Sequence, residues 1–331
     1  MELSRLDPDY LDPRDLAGAV SVMESARQVD CPHELSRTVV SYTAGLQHGW
    51  DGEPPTAYVT RDAAGRVVGV LEVYLPRRDN THMGYLEVVV DPRVRRQGIG
   101  RDLYEAGVDM LRSEGRTLVF VEGFDNPHSL GFAKAIGVDR AIESVKRRQN
   151  LSRLDVARLD REHESAAKAA ADYELLRMPA EVPDELMADV VTMVAAINDA
   201  PLDDLEFEDE VFSAERVRAF EAAQAAQQRR MYRVAARHRG TGELAGHTVV
   251  GVEGDRPWHA SQFDTSVLGH HRGNRLGVLL KIEMLRWLAE DEGQLHVVDT
   301  WNAASNDHMI AVNELLGYEV VATATGFQRH L

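Results

Sequence analysis

Two stretches of the chain carry the same run of apolar and polar positions. AYVTRDAAGRVVGVLEVYL (57–75) alternates on either side of Ala64-Gly65 and predicts two strands joined by a turn. YRVAARHRGTGELAGHTVVGV (232–252) does the same about Thr241-Gly242. Each hairpin is followed by a further strand, which in the first stretch is the apolar run YLEVVV (85–90), and then by a loop of arginine and glycine, RVRRQGIG (93–100) or HRGNRLG (271–277). Each loop opens an amphipathic helix. RDLYEAGVDMLRSEG (101–115) sets Leu103, Gly107, Met110 and Leu111 on one face, and VLLKIEMLRWLAEDEG (278–293) is its counterpart. Gly115 and Gly293 suit the C-terminal caps.

The similarity extends to single residues. An offset of 177 pairs Gly100 with Gly277, Arg95 with Arg272, Glu87 with Asp264, Gly69 with Gly246 and Gly65 with Gly242. Past the helices an offset of 180 pairs Asn126 with Asn306, His128 with His308 and Gly137 with Gly317, so a three-residue insertion separates the two blocks. The chain therefore reads as two copies of one fold, 1–155 and 173–331. Between them 156–172 is a charged, alanine-rich helical connector. AIESVKRRQNLSRLD (141–155) reads as the strand before the connector and YELLRM (173–178) as the strand after it. Segment 184–230 is mostly helical, interrupted by DDLEFEDE (203–210), which reads as a solvated acidic loop.

Composition narrows the function. A length of 331 residues suits two domains, and a net charge of −17 argues against non-specific nucleic-acid binding. It is compatible with a cationic substrate such as an amine. Cys31 is the single cysteine, so no intrachain disulfide forms, and with no motif around it a nucleophile is not expected. No apolar run is long enough to span a bilayer and no signal-peptide pattern opens the chain, so a cytoplasmic location is expected. The histidines form no HExxH, and His270-His271 reads as loop polarity in preference to a metal site, so no metal is expected.

A loop of glycines running into a helix N-terminus leaves backbone N–H groups free to grip an anion such as a pyrophosphate. RRQGIGRDL lacks the Gly-Lys-Ser/Thr of a P-loop and, with Leu103, the third glycine of G-x-G-x-x-G. The order of helices, hairpin, V-x-V-D-P strand, R-x-x-G-x-G loop and helix resembles the GNAT (Gcn5-related N-acetyltransferase) superfamily, in a tandem two-domain form of actinobacterial type, over nearly the whole chain. The resemblance implies an α/β (mixed α+β) fold: two GNAT domains, each a mostly antiparallel sheet flanked by helices and splayed between its fourth and fifth strands, packed as an intrachain pseudo-dimer. It implies acetyl-CoA as cofactor, its pyrophosphate held by Arg95, Arg96, Gln97, Gly98, Ile99 and Gly100, its pantetheine arm by the backbone of Val88, Val89 and Val90, and a further contact from Asn126, which equally suits a helix cap. The second copy offers Val267, Arg272, Gly273, Asn274, Arg275, Leu276, Gly277 and Asn306, and departs from the pattern in having Arg275 where a glycine is usual.

For the chemistry, the resemblance points to Glu87, and in the second copy Asp264, as the base that takes the amine proton; either carboxylate is also accounted for by a salt bridge. The family's tyrosine acid is replaced by Ala133 and Asn313. His128 and His308 recur at the start of that helix, and Gln262, Asp264, Thr265 and Trp301 form a substrate-side group in the second copy. The expected function is acetyl transfer to a primary amine of a small molecule, by direct attack in a ternary complex, with one or both domains catalytic. A CoA-binding scaffold and a protein lysine acetyltransferase are the alternatives.

Overall fold

The computed structural model describes residues 2–331, which divide into two compact units, each built as a sheet with helices on both faces. The first holds β1 (Ser4–Leu6), α1 (Pro13–Asp30), α2 (Val39–His48), β2 (Thr56–Arg61), β3 (Val67–Tyr74), β4 (Met83–Val90), α3 (Ile99–Ser113), β5 (Leu118–Phe124), α4 (Pro127–Ile136) and the first half of β6 (Asp139–Asn150). The second continues with α5 (Val156–Ala169), β7 (Tyr173–Met178), α6 (Met187–Val194), α7 (Ala214–Ala226), β8 (Arg230–His238), β9 (Leu244–Val252), β10 (His259–Val267), α8 (Leu276–Asp291), β11 (Val297–Ala303), α9 (Asp307–Leu315) and the start of β12 (Tyr318–His330). No helix is long and apolar enough to cross a membrane.

Both predicted hairpins form, turning at Gly65 and Gly242, each with φ of 78°. The alternation sorts each sheet into two cores. In the first unit Leu71, Leu86 and Val119 pack on Leu103, Tyr104, Val108 and Leu111 of α3, while Val59 and Val70 pack on α1 and α2. In the second, Val250, Ala260 and Val298 pack on α8, and Ala235 and Leu244 on α6 and α7. The α3 helix ends as its glycine predicts, Gly115 taking a φ of 73°; α8 caps on Glu292 instead, and Gly293 takes no left-handed conformation.

Strand order is β1-β2-β3-β4-β5-β12 in the first unit and β6-β11-β10-β9-β8-β7 in the second. Each sheet is thus finished by a strand from elsewhere in the chain. Ala324–His330 of β12 pairs antiparallel with β5, and the half of β6 from Val145 onward lies beside β11. The division differs from the contiguous one drawn from sequence: Val145–Asn150 belongs to the second unit and Ala322–Leu331 to the first. The predicted connector is the helix α5, which packs Ala166 and Leu159 into the core around α8. The acidic segment is the expected loop with its acidic side chains exposed, and it is in addition docked. Leu202–Asp209 belongs to the first unit, held by Asn80 and Glu208 (Glu208 N to Asn80 Oδ1, 2.7 Å) and by Phe207 edge-on to Phe120 at 5.7 Å. Its charges face solvent, but its aromatic residue does not leave the protein surface.

Candidate active site

In both units the parallel pair at the centre of the sheet comes apart. β4 and β5 are in register only from Met83/Leu118 to Tyr85/Phe120, and β10 and β11 only from His259/Val297 to Ser261/Asp299. Beyond those points Val88, Val89 and Val90 remain bonded to β3 on one edge and have no partner strand on the other. Val88 and Val90 anchor into the core under α3, and Val89 into that under α1 and α2, so the opened edge is held rigid from both sides.

The loop after β4 starts with a short turn, Pro92–Val94, capped by buried Asp91. Arg95 then folds back. Its Nε donates to Val90 O at 3.1 Å and its two terminal nitrogens grip Asp30, at the end of α1, at 2.8 and 2.6 Å. Its guanidinium is therefore engaged in fixing the loop. Arg96 (φ 67°) and Gly98 (φ 91°) are left-handed, and the N–H groups of Arg96, Gln97, Gly98, Ile99, Gly100 and Arg101 have no partner among the described residues. A Cβ on Gly98 would meet nothing within 4 Å, so open space lies over these amides. Gly100, by contrast, lies against Phe132 of α4. Asn126 caps α4, accepting from the N–H of His128 and Ser129, and donates to Asp30 O, tying the helix to the same acid that holds Arg95. His128 is exposed at that helix start.

The second loop repeats the construction. Arg272 Nε donates to Val267 O at 3.0 Å and its terminal nitrogen pairs with Asp199. The left-handed positions are Gly273 (φ 86°) and Arg275 (φ 56°), the reverse of the arginine–glycine order in the first loop. Arg275 thus adopts the conformation that its sequence position demands without being glycine. Glu162 and Ser165 of α5 accept from its guanidinium at 2.6 Å each. Asn274 braces the loop through His271 O and the Tyr173 hydroxyl, and Leu276 is buried at the start of α8. The N–H groups of Gly273, Asn274, Arg275, Leu276 and Gly277 have no partner among the described residues. Asn306 caps α9, and His308 is exposed. Glu243, His270 and His271 lie within 4.8 Å of one another; Glu243 accepts from both rings and His271 meets Tyr173, a bonded brace between two turns.

The two splays differ in the groups beside them. In the first, Glu87 sits opposite Glu72, and Arg37 joins both, at 2.7 and 2.9 Å. Tyr74 donates to Glu72 at 2.6 Å. Burial pushes the Glu87 carboxyl up; Arg37 opposes this and Glu72 adds to it, with a net rise. On β5, two residues beyond Phe120, Glu122 projects to the same face as Glu87, because Tyr85 and Phe120 are register partners in ring contact at 5.6 Å. Glu122 has no hydrogen-bonding or ion-pair partner among the described residues; its side chain is exposed toward the opened edge, and the crowding of protein around its carboxyl, with Glu87 and Glu34, raises it to about 6. Tyr74, Tyr85, Phe120 and Phe207 form a continuous row of ring contacts along this face. Of these residues the sequence reading singled out Glu87 alone. The register of the hairpin would have found Glu72, but Arg37, Glu122 and Phe207 come from segments without a motif.

In the second unit Asp264 lies in a β-bulge, sharing with Phe263 the place opposite Val249, so it matches Glu87 only approximately. Its carboxyl is 2.5 Å from Nε2 of buried His247. Burial pushes it up, but His247 and Arg233 outweigh burial and hold it below its ordinary range. Gln262 donates to Thr248 and Val249 O, and Thr265 bonds Thr248, so both are internal. Trp301 faces Lys146 at 5.7 Å. Ala133 is buried on α4, and Asn313 is fully buried on α9.

Residues 23–138 match the model of the Acetyltransferase (GNAT) family. The sequence matches no curated protein. Among solved structures, a tandem GNAT protein from the clavulanic acid biosynthesis pathway, solved without AcCoA, is 26% identical with a TM-score of 0.81, covering 99% of this chain and 98% of that one. A GCN5-related N-acetyltransferase from Sphaerobacter thermophilus has a TM-score of 0.68 at 12% identity, with 99% and 95% coverage, and one from Kribbella flavida a TM-score of 0.54 at 12% identity, with 100% and 71% coverage. The last two are similar in fold alone.

Proposed function

We propose, from the premise that this chain is a tandem GNAT-family acyltransferase, that its first unit transfers the acetyl group of acetyl-CoA to a primary amine of a small molecule by direct attack. The observation that carries this reading is Glu122, a carboxyl without a partner, facing Glu87 across the opened β4–β5 edge. Acetyl-CoA fits the loops by their backbone: six consecutive N–H groups beneath open space in the first are suited to a pyrophosphate, and the opened edge of Val88–Val90 to an amide-bearing arm. When bound, it supplies the acyl group as an activated thioester.

The chain's own residues do the rest. Glu87 and Glu72 share one counter-charge, Arg37, which leaves the face acidic; the row Tyr85–Phe120–Phe207 adds ring faces that attract a cation. An ammonium is therefore held where its proton can leave. Glu122 takes that proton, being unopposed by any arginine, while Glu87, fixed by Arg37, orients the nitrogen. This shares between two carboxylates the role expected of Glu87 alone. Asp264, held low by His247, is a weak base, which favours the second unit as a holder of CoA without chemistry of its own. The test is thiol release from acetyl-CoA over a panel of small amines. Glu122→Gln should lower kcat/KM about 10²–10³-fold with CoA binding unchanged, and Asp264→Asn should leave it unaltered. An unchanged rate for Glu122→Gln would reject the assignment of the base.

A further inference from the structure

Lys281 of α8 is buried, and no carboxylate pairs with it among the described residues. Its Nζ donates to Asn313 Oδ1 at 2.7 Å and lies 4.9 Å over the ring of Tyr318. Burial lowers its amine to about 7. As an ammonium this group has donors and no acceptor, so it is the oxygen of Asn313 that faces it. The orientation of Asn313 is then fixed: its Nδ2 points away and donates to Asn302 Oδ1 at 2.7 Å. Asn302 is fixed in turn. Its oxygen is taken, and its own Nδ2, without a partner among the described residues, is left as a donor on the part of β11 that has separated from β10.

The first unit provides an internal control. Register pairs Val298 with Ala260 as it pairs Val119 with Gly84, which matches Asn302 to Gly123; the repeat matches Lys281 to Tyr104 and Asn313 to Ala133. All three members are replaced together, and the Tyr104 hydroxyl is left buried without a partner. The chain of donors therefore belongs to the second splay and is not a requirement of the fold. We infer that Lys281 is a positioning residue: acting through Asn313, it aims the Asn302 amide N–H into the second splay as the hydrogen-bond donor for a carbonyl of the CoA arm. This rests on the reading that the second loop binds CoA.

Calorimetric titration of the full chain with CoA tests it. The wild type should show two sets of sites, and Gly98→Asp should remove the set belonging to the first loop. In that background Asn302→Ala, Asn313→Ala and Lys281→Met should each weaken the remaining set about tenfold, and Lys281→Met/Asn313→Ala no more than either alone. Lys281→Met removes a buried amine that no carboxylate pairs but leaves the buried Asn313 Oδ1 without its donor, so its Tm should fall by a few degrees; Asn302→Ala should keep its Tm, and lost affinity there at an unimpaired Tm separates positioning from a merely structural role. Should Lys281→Met fail to fold, Asn302→Ala, on a partly exposed strand end, decides the matter. Wild-type affinity in Asn302→Ala overturns this inference alone. A wild type whose CoA binding vanishes entirely with Gly98→Asp overturns the CoA reading of the second loop and this inference with it.

Discussion

Glu122 carries no counter-ion, and its value of about 6 has a direct consequence for rate. A general base works only when ionised. Below about pH 6 the Glu122 carboxyl is protonated and cannot accept, so kcat/KM should fall roughly tenfold per unit of pH; above it this limb should flatten. In Glu122→Gln the limb centred near 6 should vanish, leaving only the titration of the acceptor amine. Thiol release measured from pH 5 to 9 for both proteins reads this out, and a limb near 6 that persists in the variant would assign it to another group. Glu87 is the natural rival, since burial also raises its carboxyl, but Arg37 donates to its Oε2 at 2.7 Å and competes for the lone pair a base must use. Glu87→Gln is therefore expected to raise KM for the amine more than it lowers kcat.

At the scale of elements, each arginine–glycine loop is tied down by its first matched arginine. Arg95 spans from the end of β4 to the end of α1, and Arg272 from the end of β10 to Asp199, just past α6. Each has its side chain turned away from the amides it positions. Arg95→Met should cost about 1.5–3 kcal/mol, the worth of hydrogen bonds to a charged partner, and lower the Tm by several degrees. It should weaken CoA binding by disordering the six amides. Arg96→Met, whose side chain is exposed, should leave the Tm alone. Thermal unfolding and calorimetry of the pair decide; equal effects would show that Arg95 meets the anion directly. The loops, the hairpins and the long helices were legible in the sequence because each follows from local periodicity or from a glycine in a left-handed turn. The direction of Arg95 was not, because an arginine beside an anion cradle reads the same whether it meets the ligand or the scaffold. Asp264 looked like a second Glu87 because a constant offset hides a bulge. Glu72, Arg37 and Glu122 were illegible as a group, since only the pairing of β3 with β4 and the splay of β5 bring them to one face.

For the whole molecule, periodicity predicts that a strand exists but not which strand it pairs with. A contiguous division of the chain was therefore the natural sequence reading, and it sends the last ten residues to the wrong sheet. Ala324–His330 makes seven register pairs with Leu118–Phe124, and Phe327 is buried in the core beneath α3. The first unit, which carries Glu87 and Glu122, is thus unfinished until Ala324–His330 has paired with β5. A chain ending at Val321 would leave β5 as an open edge beside the splay, exposing N–H and C=O groups to other chains. It should aggregate on warming, melt well below the full-length protein, and lose both amine acetylation and the CoA set that Gly98→Asp removes. Binding at the second loop should survive, because β10, β11 and α8 keep every partner within their own unit. Scattering during a thermal ramp, together with calorimetry at low temperature, separates these outcomes. Full first-loop binding in the truncated chain would mean that β5 needs no sixth strand, and that the chain's last strand is an accessory to the fold.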